Sequence, residues 1–286
     1  MVDGTVISSI LDYGPAFLLL AVRAFAMIET APLLSSESIP RVAKLALSGL
    51  VAFAVLPVAS APAAEPSVGG LHLITEMRYE PFSLAFVLLL AGEALIGIIM
   101  GFFLTVIFSA FATAGQFFSL QMGFAASETL DPLSQVENPV IGQFLYMISM
   151  LVFLVVGGFR DLFLGGFWRS VQSLNVLSII EGRESVVAMI VGGLPKMFLD
   201  AIVISMPILG TLFLVSLTTG LISKAAPQIN ILSEGFPIAI MVGYIMMFAS
   251  MPFMIDAFAG VVNTAFSGIQ SLYTDIGQQI EDGGAL

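Results

Sequence analysis

The chain has 286 residues, 58% of them hydrophobic and only 10% charged, with mean hydropathy +1.04 and a formal net charge of −11. Ordinary soluble domains carry roughly 25% charged residues, so composition places the chain among membrane proteins. Zero cysteines exclude disulfides and thiolate chemistry, a single histidine (His72) excludes a multi-histidine metal site, and nine Lys plus Arg leave no basic face for nucleic acid.

A span needs about 20 apolar residues to cross roughly 30 Å of hydrocarbon. Taken in chain order, the qualifying segments are 14–34, 42–60, 82–118, 139–159, 186–218 and 236–262. None shows the strict alternation of a barrel strand, so the expectation is an all-α, membrane-type protein with about six long, partly kinked hydrophobic helices arranged as hairpins. Met1 to Asp12 lacks Lys and Arg, so the first apolar segment is expected to stay attached rather than be cleaved as a signal peptide. Ser35–Arg41 reads as a short polar turn and 57–81 as a Pro-rich loop holding His72. Residues 160–185 read as a longer mixed segment, and Lys224–Glu234 as a short link. A single helical domain over 1–265 is expected, followed by a polar acidic tail over 266–286.

The third run is too long for its task. Ala94 to Ser127 holds 34 residues without a charge, about 50 Å of helix at ~1.5 Å per residue. It bends, extends beyond the hydrocarbon, or is partly covered by protein. Loop charge does not orient the spans, since Lys and Arg divide four against three between the two sides.

Six charges lie within or at the edges of apolar runs: Arg23, Glu29, Glu93, Lys196, Asp200 and Asp256. A charge at mid-bilayer costs about 2.5–3.5 kcal/mol, so such residues face protein or water. Lys196 and Asp200 share a helical face. They read as an ion pathway, or as contacts between helices or subunits. Gly97 and Gly101 form a small-xxx-small pair suited to close helix approach. Pro195, Pro207 and Pro252 interrupt the fifth and sixth runs. They read as broken helices at a substrate site, which would suit a small-molecule secondary transporter, or as tolerated kinks. Met246, Met247, Met251 and Met254 form a methionine-rich face. No hydrolase, phosphate-binding or dinucleotide motif is present, so no enzyme, metal or cofactor is expected.

Three ordered stretches carry a family resemblance. The first is Arg23-Ala-Phe-Ala-Met-Ile-Glu-Thr-Ala-Pro-Leu-Leu-Ser, through Ile39-Pro40-Arg41 and Lys44. The second is Gly115-Gln-Phe-Phe-Ser-Leu-Gln-Met-Gly, then Asp131-Pro132 and Asn138-Pro139-Val140. The third is Lys224-Ala-Ala-Pro-Gln-Ile-Asn-Ile-Leu, then Gly235-Phe-Pro-Ile. Together they resemble the FliR family of flagellar biosynthetic proteins, whose virulence-secretion counterpart is SctT, over about residues 15–265.

The resemblance implies a non-enzymatic subunit of the type III protein export gate. It would lie in the bacterial inner membrane at the flagellar basal body. FliP-like and FliQ-like subunits are the implied partners, with FlhB- and FlhA-like components beside them and unfolded export substrates passing through. It implies a FliP-like half followed by a FliQ-like half, and helices lifted largely out of the bilayer plane. It also implies that residues 122–138 form a channel plug. From Met122 onward, Gly123, Ala125, Ala126 and Ser127 would give close but rearrangeable packing, with Phe124 the loop's only aromatic. Glu128, Asp131 and Glu137 would keep the loop wettable, and Asp131-Pro132 would stiffen its tip. The hairpin with Lys224, Pro227, Gln228, Gly235, Phe236 and Pro237 is the implied subunit contact, with Pro227 and Pro237 fixing the turn.

Overall fold

A computed structural model describes residues 4–59, 83–124, 140–174, 183–226 and 231–283. Among them the secondary structure is all helical: α1 (Gly4–Thr30), α2 (Arg41–Ala59), α3 (Leu84–Gln121), α4 (Val140–Val155), α5 (Gly158–Ser173), α6 (Arg183–Ala225) and α7 (Ile231–Gly283). Among the described residues five helices are long and apolar enough to cross a membrane, and α4 with α5, bent by 73°, make a sixth if the pair is one broken span.

Local chemistry sets several ends. Ser83 Oγ accepts from the Phe86 N–H at 3.2 Å and caps α3. Pro40 precedes α2, and its carbonyl accepts from Ala43 N and Lys44 N. Between α4 and α5 the helix breaks at Gly157, whose φ of +84° favours glycine. Residues 158–173, which straddle the end of the span read as 139–159 and the mixed segment read as 160–185, are therefore a second helical arm. Its middle, Asp161–Trp168, is π-helical, and the wider turn buries Leu162, Gly166 and Phe167.

Of the two readings of Pro195, Pro207 and Pro252, broken helices or tolerated kinks, the helices are unbroken at all three. Pro195 and Pro207 lie inside the 43 residues of α6, and Pro252 inside the 53 residues of α7. One proline removes one backbone donor, and a helix whose other bonds hold can absorb it. Pro57 likewise lies within α2. The overlong third run is one unbroken helix of 38 residues, half of it buried against the protein. The seventh helix continues past residue 265, with Phe266 and Ile269 buried, and ends at Gly283.

The described residues group into two compact units that share the long helices. The first draws on Met1–Thr105, Gly158–Gly193 and Thr264–Leu286. Here α1 packs on α2 and runs parallel to the first part of α3. Its core includes Leu19, Leu20, Met27 and Ile28 of α1, Ile96 and Met100 of α3, and Leu162, Phe167 and Val171 of α5. The second unit draws on Val106–Gly157 and Leu194–Asn263. Phe108 stacks edge-on against Phe153 (5.3 Å) and Tyr146 (6.0 Å) of α4, and Phe111 against Phe258 of α7 (4.5 Å). These aromatic pairs join three helices around one core. α6 adds Ala201, Ile204, Ile208 and Leu212 to the buried set, one stripe at helical spacing.

Candidate functional site

The second signature stretch is the C-terminal end of α3. Phe118 and Met122 are fully buried one turn apart. The helix ends when Met122 N–H donates to Phe118 O (2.9 Å) and Gly123 N–H donates to Leu120 O (3.1 Å). Gly123 has φ +89°, the left-handed conformation that glycine adopts freely at a helix end. The Gln-Met-Gly motif is thus a helix stop, with a buried anchor just before the point where the chain turns away. Phe124 is half-buried. Ala125, Ala126, Ser127, Glu128, Asp131, Pro132 and Glu137 lie outside the described residues.

The two helices flanking this loop meet at glycines. A Cβ at Gly115 would strike Gly142 Cα and lie 2.8 Å from Gly142 N. The α3 and α4 backbones therefore touch within two turns of the loop's ends. On the third side stands α7: a Cβ at Gly243 would strike the Met122 side chain, 2.9 Å from both Cγ and Sδ. Of the methionine-rich face, Met247 and Met254 are buried and Met246 and Met251 half-buried. Gly243 and Gly142 were not singled out in the sequence. Their signal was only a small residue inside an apolar run.

The charges fall into two kinds. In the first unit, Arg23 is almost fully buried on α1, and its Nε donates to Glu93 Oε2 of α3. Its Nη1 donates to Ser170 Oγ at 3.2 Å and its Nη2 to the Leu174 carbonyl at 3.1 Å. Ser170 in turn donates to Phe167 O at 2.7 Å. One guanidinium thus ties α1, α3 and α5. Nearby, buried Lys44 meets Glu29 at 3.1 Å and donates to the Ser35 carbonyl at 3.0 Å, holding the α1–α2 turn. The stretch around Arg23, Glu29 and Lys44 is therefore a set of helix ties.

In the second unit the charges sit outward. Lys196 and Asp256 are exposed and Asp200 is half-buried, all on helices whose neighbouring side chains, such as Phe198, Leu199 and Phe253, are exposed and apolar. Lys224 is exposed in the last turn of α6, where a cation complements the helix dipole. Pro227 and Gln228 lie outside the described residues, as does His72. Pro237, expected to shape the turn, lies inside α7 with Gly235 and Phe236 just before it in the same helix. The link is shorter than expected because α7 begins at Ile231. Among the described residues, no three of His, Asp and Glu converge as metal ligands would.

The comparisons agree with one another. The sequence pattern of the family described as bacterial export proteins, family 1, matches residues 15–265. The flagellar biosynthetic protein FliR of Bacillus subtilis (strain 168) is 29% identical over 272 residues, covering 94% of this chain and 99% of that protein. FliR of Escherichia coli (strain K12) is 32% identical over 265 residues, 89% of each chain. FliR of Borreliella burgdorferi is 31% identical over 189 residues, 66% of this chain and 70% of its own. With this coverage, and with the motif stretches lying at helix ends and helix ties, the chain belongs to bacterial export protein family 1, the family of the flagellar biosynthetic protein FliR.

Proposed function

We propose that this chain is a non-enzymatic subunit of the flagellar type III export gate in the bacterial inner membrane, at the basal body. It forms a protein-conducting channel with FliP-like and FliQ-like partners, beside FlhA- and FlhB-like components, and contributes residues 122–138 as the plug. Unfolded export substrates are what the channel passes. The observation that carries this reading is the root of that loop. A glycine-to-glycine contact holds its two flanking helices together, and a buried methionine followed by a left-handed glycine fixes the end of the first against α7. Such a base suits a loop that is positioned firmly and rearranges beyond its anchor. The family match and the wide exposed apolar faces of α2, α6 and α7 support a subunit that completes its burial against partners. The hairpin from Lys224 to Pro237 is the proposed subunit contact.

The test is conductance. Removing residues 125–138 while keeping Met122 and Gly123, in the complex co-expressed with its partners and reconstituted in vesicles, should make the channel leak ions. An assembled complex that stays as tight as the parent would overturn the plug assignment. The transporter reading lacks the breaks at Pro195, Pro207 and Pro252 that motivated it.

A further inference from the structure

Between α2 and α5 lies an open apolar groove of about 460 Å³. From α2 it takes Val51, Val55 and Val58, whose spacing puts them on one helical face. From α5 it takes Phe163, Phe167 and Trp168. These come to one side because this part of α5 is π-helical, with a wider turn than an α-helix. The α5 wall is pinned from behind. Phe167 is fully buried, and its carbonyl accepts from Ser170 Oγ at 2.7 Å, which itself accepts from Arg23 Nη1 at 3.2 Å. Gly166 turns toward α3, where an added Cβ would stand 3.2 Å from Met100 Cε. With α2 packed on α1 and α5 held by the Arg23 tie, the groove is a fixed feature of the first unit.

We propose that this groove seats an acyl chain of an anionic phospholipid whose phosphate is held by Arg169. The length of α2 favours lipid as the occupant. Its 19 residues span about 28 Å at ~1.5 Å per residue, which matches roughly 30 Å of hydrocarbon where α6 and α7 exceed it. It is the least buried of the five long apolar helices among the described residues, and it carries no charge from Leu45 to Ala59. The groove edge points the same way. Trp168, the chain's single tryptophan, is half-buried there, and an amphipathic indole suits headgroup depth. The next residue, Arg169, is exposed and makes no ion pair with the described residues. In a chain of net charge −11, an exposed guanidinium beside a tryptophan and an apolar groove complements a phosphate, whose oxygens its planar fork can take in pairs. The site does not depend on the role of residues 122–138.

The single tryptophan makes the test direct, because bromine on an acyl chain quenches indole fluorescence only at close range. The full chain, purified with its co-expressed FliP-like and FliQ-like proteins, is placed in phosphatidylcholine vesicles carrying either brominated phosphatidylglycerol or brominated phosphatidylcholine. The Trp168 signal is the difference between the parent and Trp168→Phe. Half of the full quenching should need about fivefold less brominated phosphatidylglycerol than brominated phosphatidylcholine, the effect of one cation near the membrane surface. Arg169→Gln should erase that preference while quenching itself persists. Ala54→Phe, which fills the groove from α2, should weaken quenching by both lipids in complexes assembled at parental yield. Equal quenching of the parent by the two brominated lipids would mean general exposure to lipid and would overturn the site. A preference that survives Arg169→Gln would place the phosphate elsewhere and overturn it too. Absence of quenching in the complex would mean that a partner subunit, not an acyl chain, fills the groove.

Discussion

A guanidinium away from water must place its five N–H donors on protein acceptors, and Arg23 shows what that requires. Its partners are Glu93 of α3, Ser170 of α5 and the carbonyl of Leu174 at the end of α5. Breaking such a pair is worse than never having had it, because the remaining charge is stranded. Glu93→Ala should therefore cost about 3–5 kcal/mol, whereas replacing both partners by Met should recover most of that loss. Thermal unfolding of the detergent-solubilised complex separates the two outcomes. A double variant as unstable as the single would show that the charges themselves are needed. Ser170→Ala should cost less, about 1.5–3 kcal/mol, because the Glu93 bond survives. Both charges were visible in the sequence as intruders in apolar runs. Their pairing was not: 70 residues separate them, and their third partner lies in the stretch 160–185, which reads only as a mixed segment. Lys196 and Asp200 illustrate the opposite case. Their spacing was legible, and both lie on the outward side of α6 rather than in the core.

At the scale of helices, the small-residue pairs decide how closely elements approach. Gly97 lies against the α1 backbone at Arg23 and Met27, and an added Cβ would stand 2.9 Å from Ala26 Cβ. One turn later a Cβ at Gly101 would strike Thr30, whose Oγ1 donates to Ala26 O and whose carbonyl accepts from Thr105 Oγ1 at 3.1 Å. Gly101→Val should therefore cost about 1–3 kcal/mol by forcing α1 and α3 apart. Gly192→Ala on α6, where nothing lies within 4 Å, should be neutral or slightly stabilising through helix propensity. Melting temperatures of the two variants check the contrast, and equal losses would mean that the close approach does not matter. The paired glycines at 97 and 101 were legible from their spacing. The pair formed by Gly115 and Gly142 was not, because its members sit on different helices. Helix α5 was missed because Gly157 and Gly158 end one helix and start another inside a single apolar run, and hydropathy does not register a change of direction. Of the two readings the prolines allowed, the structure favours the tolerated one, since a breaker in isolation is only a gap in a long hydrogen-bonded helix.

Across the whole molecule, helix length conflicts with bilayer thickness. α6 and α7 have 43 and 53 residues, about 65 and 80 Å at ~1.5 Å per residue, against roughly 30 Å of hydrocarbon. Tilt alone does not absorb a twofold excess. Within each helix the charges bracket a stretch of bilayer length: Ala201 to Ser223 in α6, between Asp200 and Lys224, and Phe236 to Ile255 in α7, ahead of Asp256. Placing those two stretches in lipid keeps Lys196, Asp200 and Asp256 at or beyond the boundary, which avoids about 2.5–3.5 kcal/mol for each charge moved to mid-bilayer. The remainder of both helices then stands outside the hydrocarbon. There, exposed Val187, Val191 and Leu194 on α6 need cover from partner subunits rather than from acyl chains. A cysteine-free chain makes this directly measurable. Single cysteines at 206, 213, 217 and 245 should resist a membrane-impermeant maleimide whether or not partners are present. Cysteines at 187, 191 and 194 should react in the chain expressed alone and become protected when the FliP-like and FliQ-like proteins are co-expressed. Protection at 187–194 in the lone chain would mean that lipid, not protein, covers this end of α6, and the charged boundary at residues 196–200 would then have to lie within the membrane.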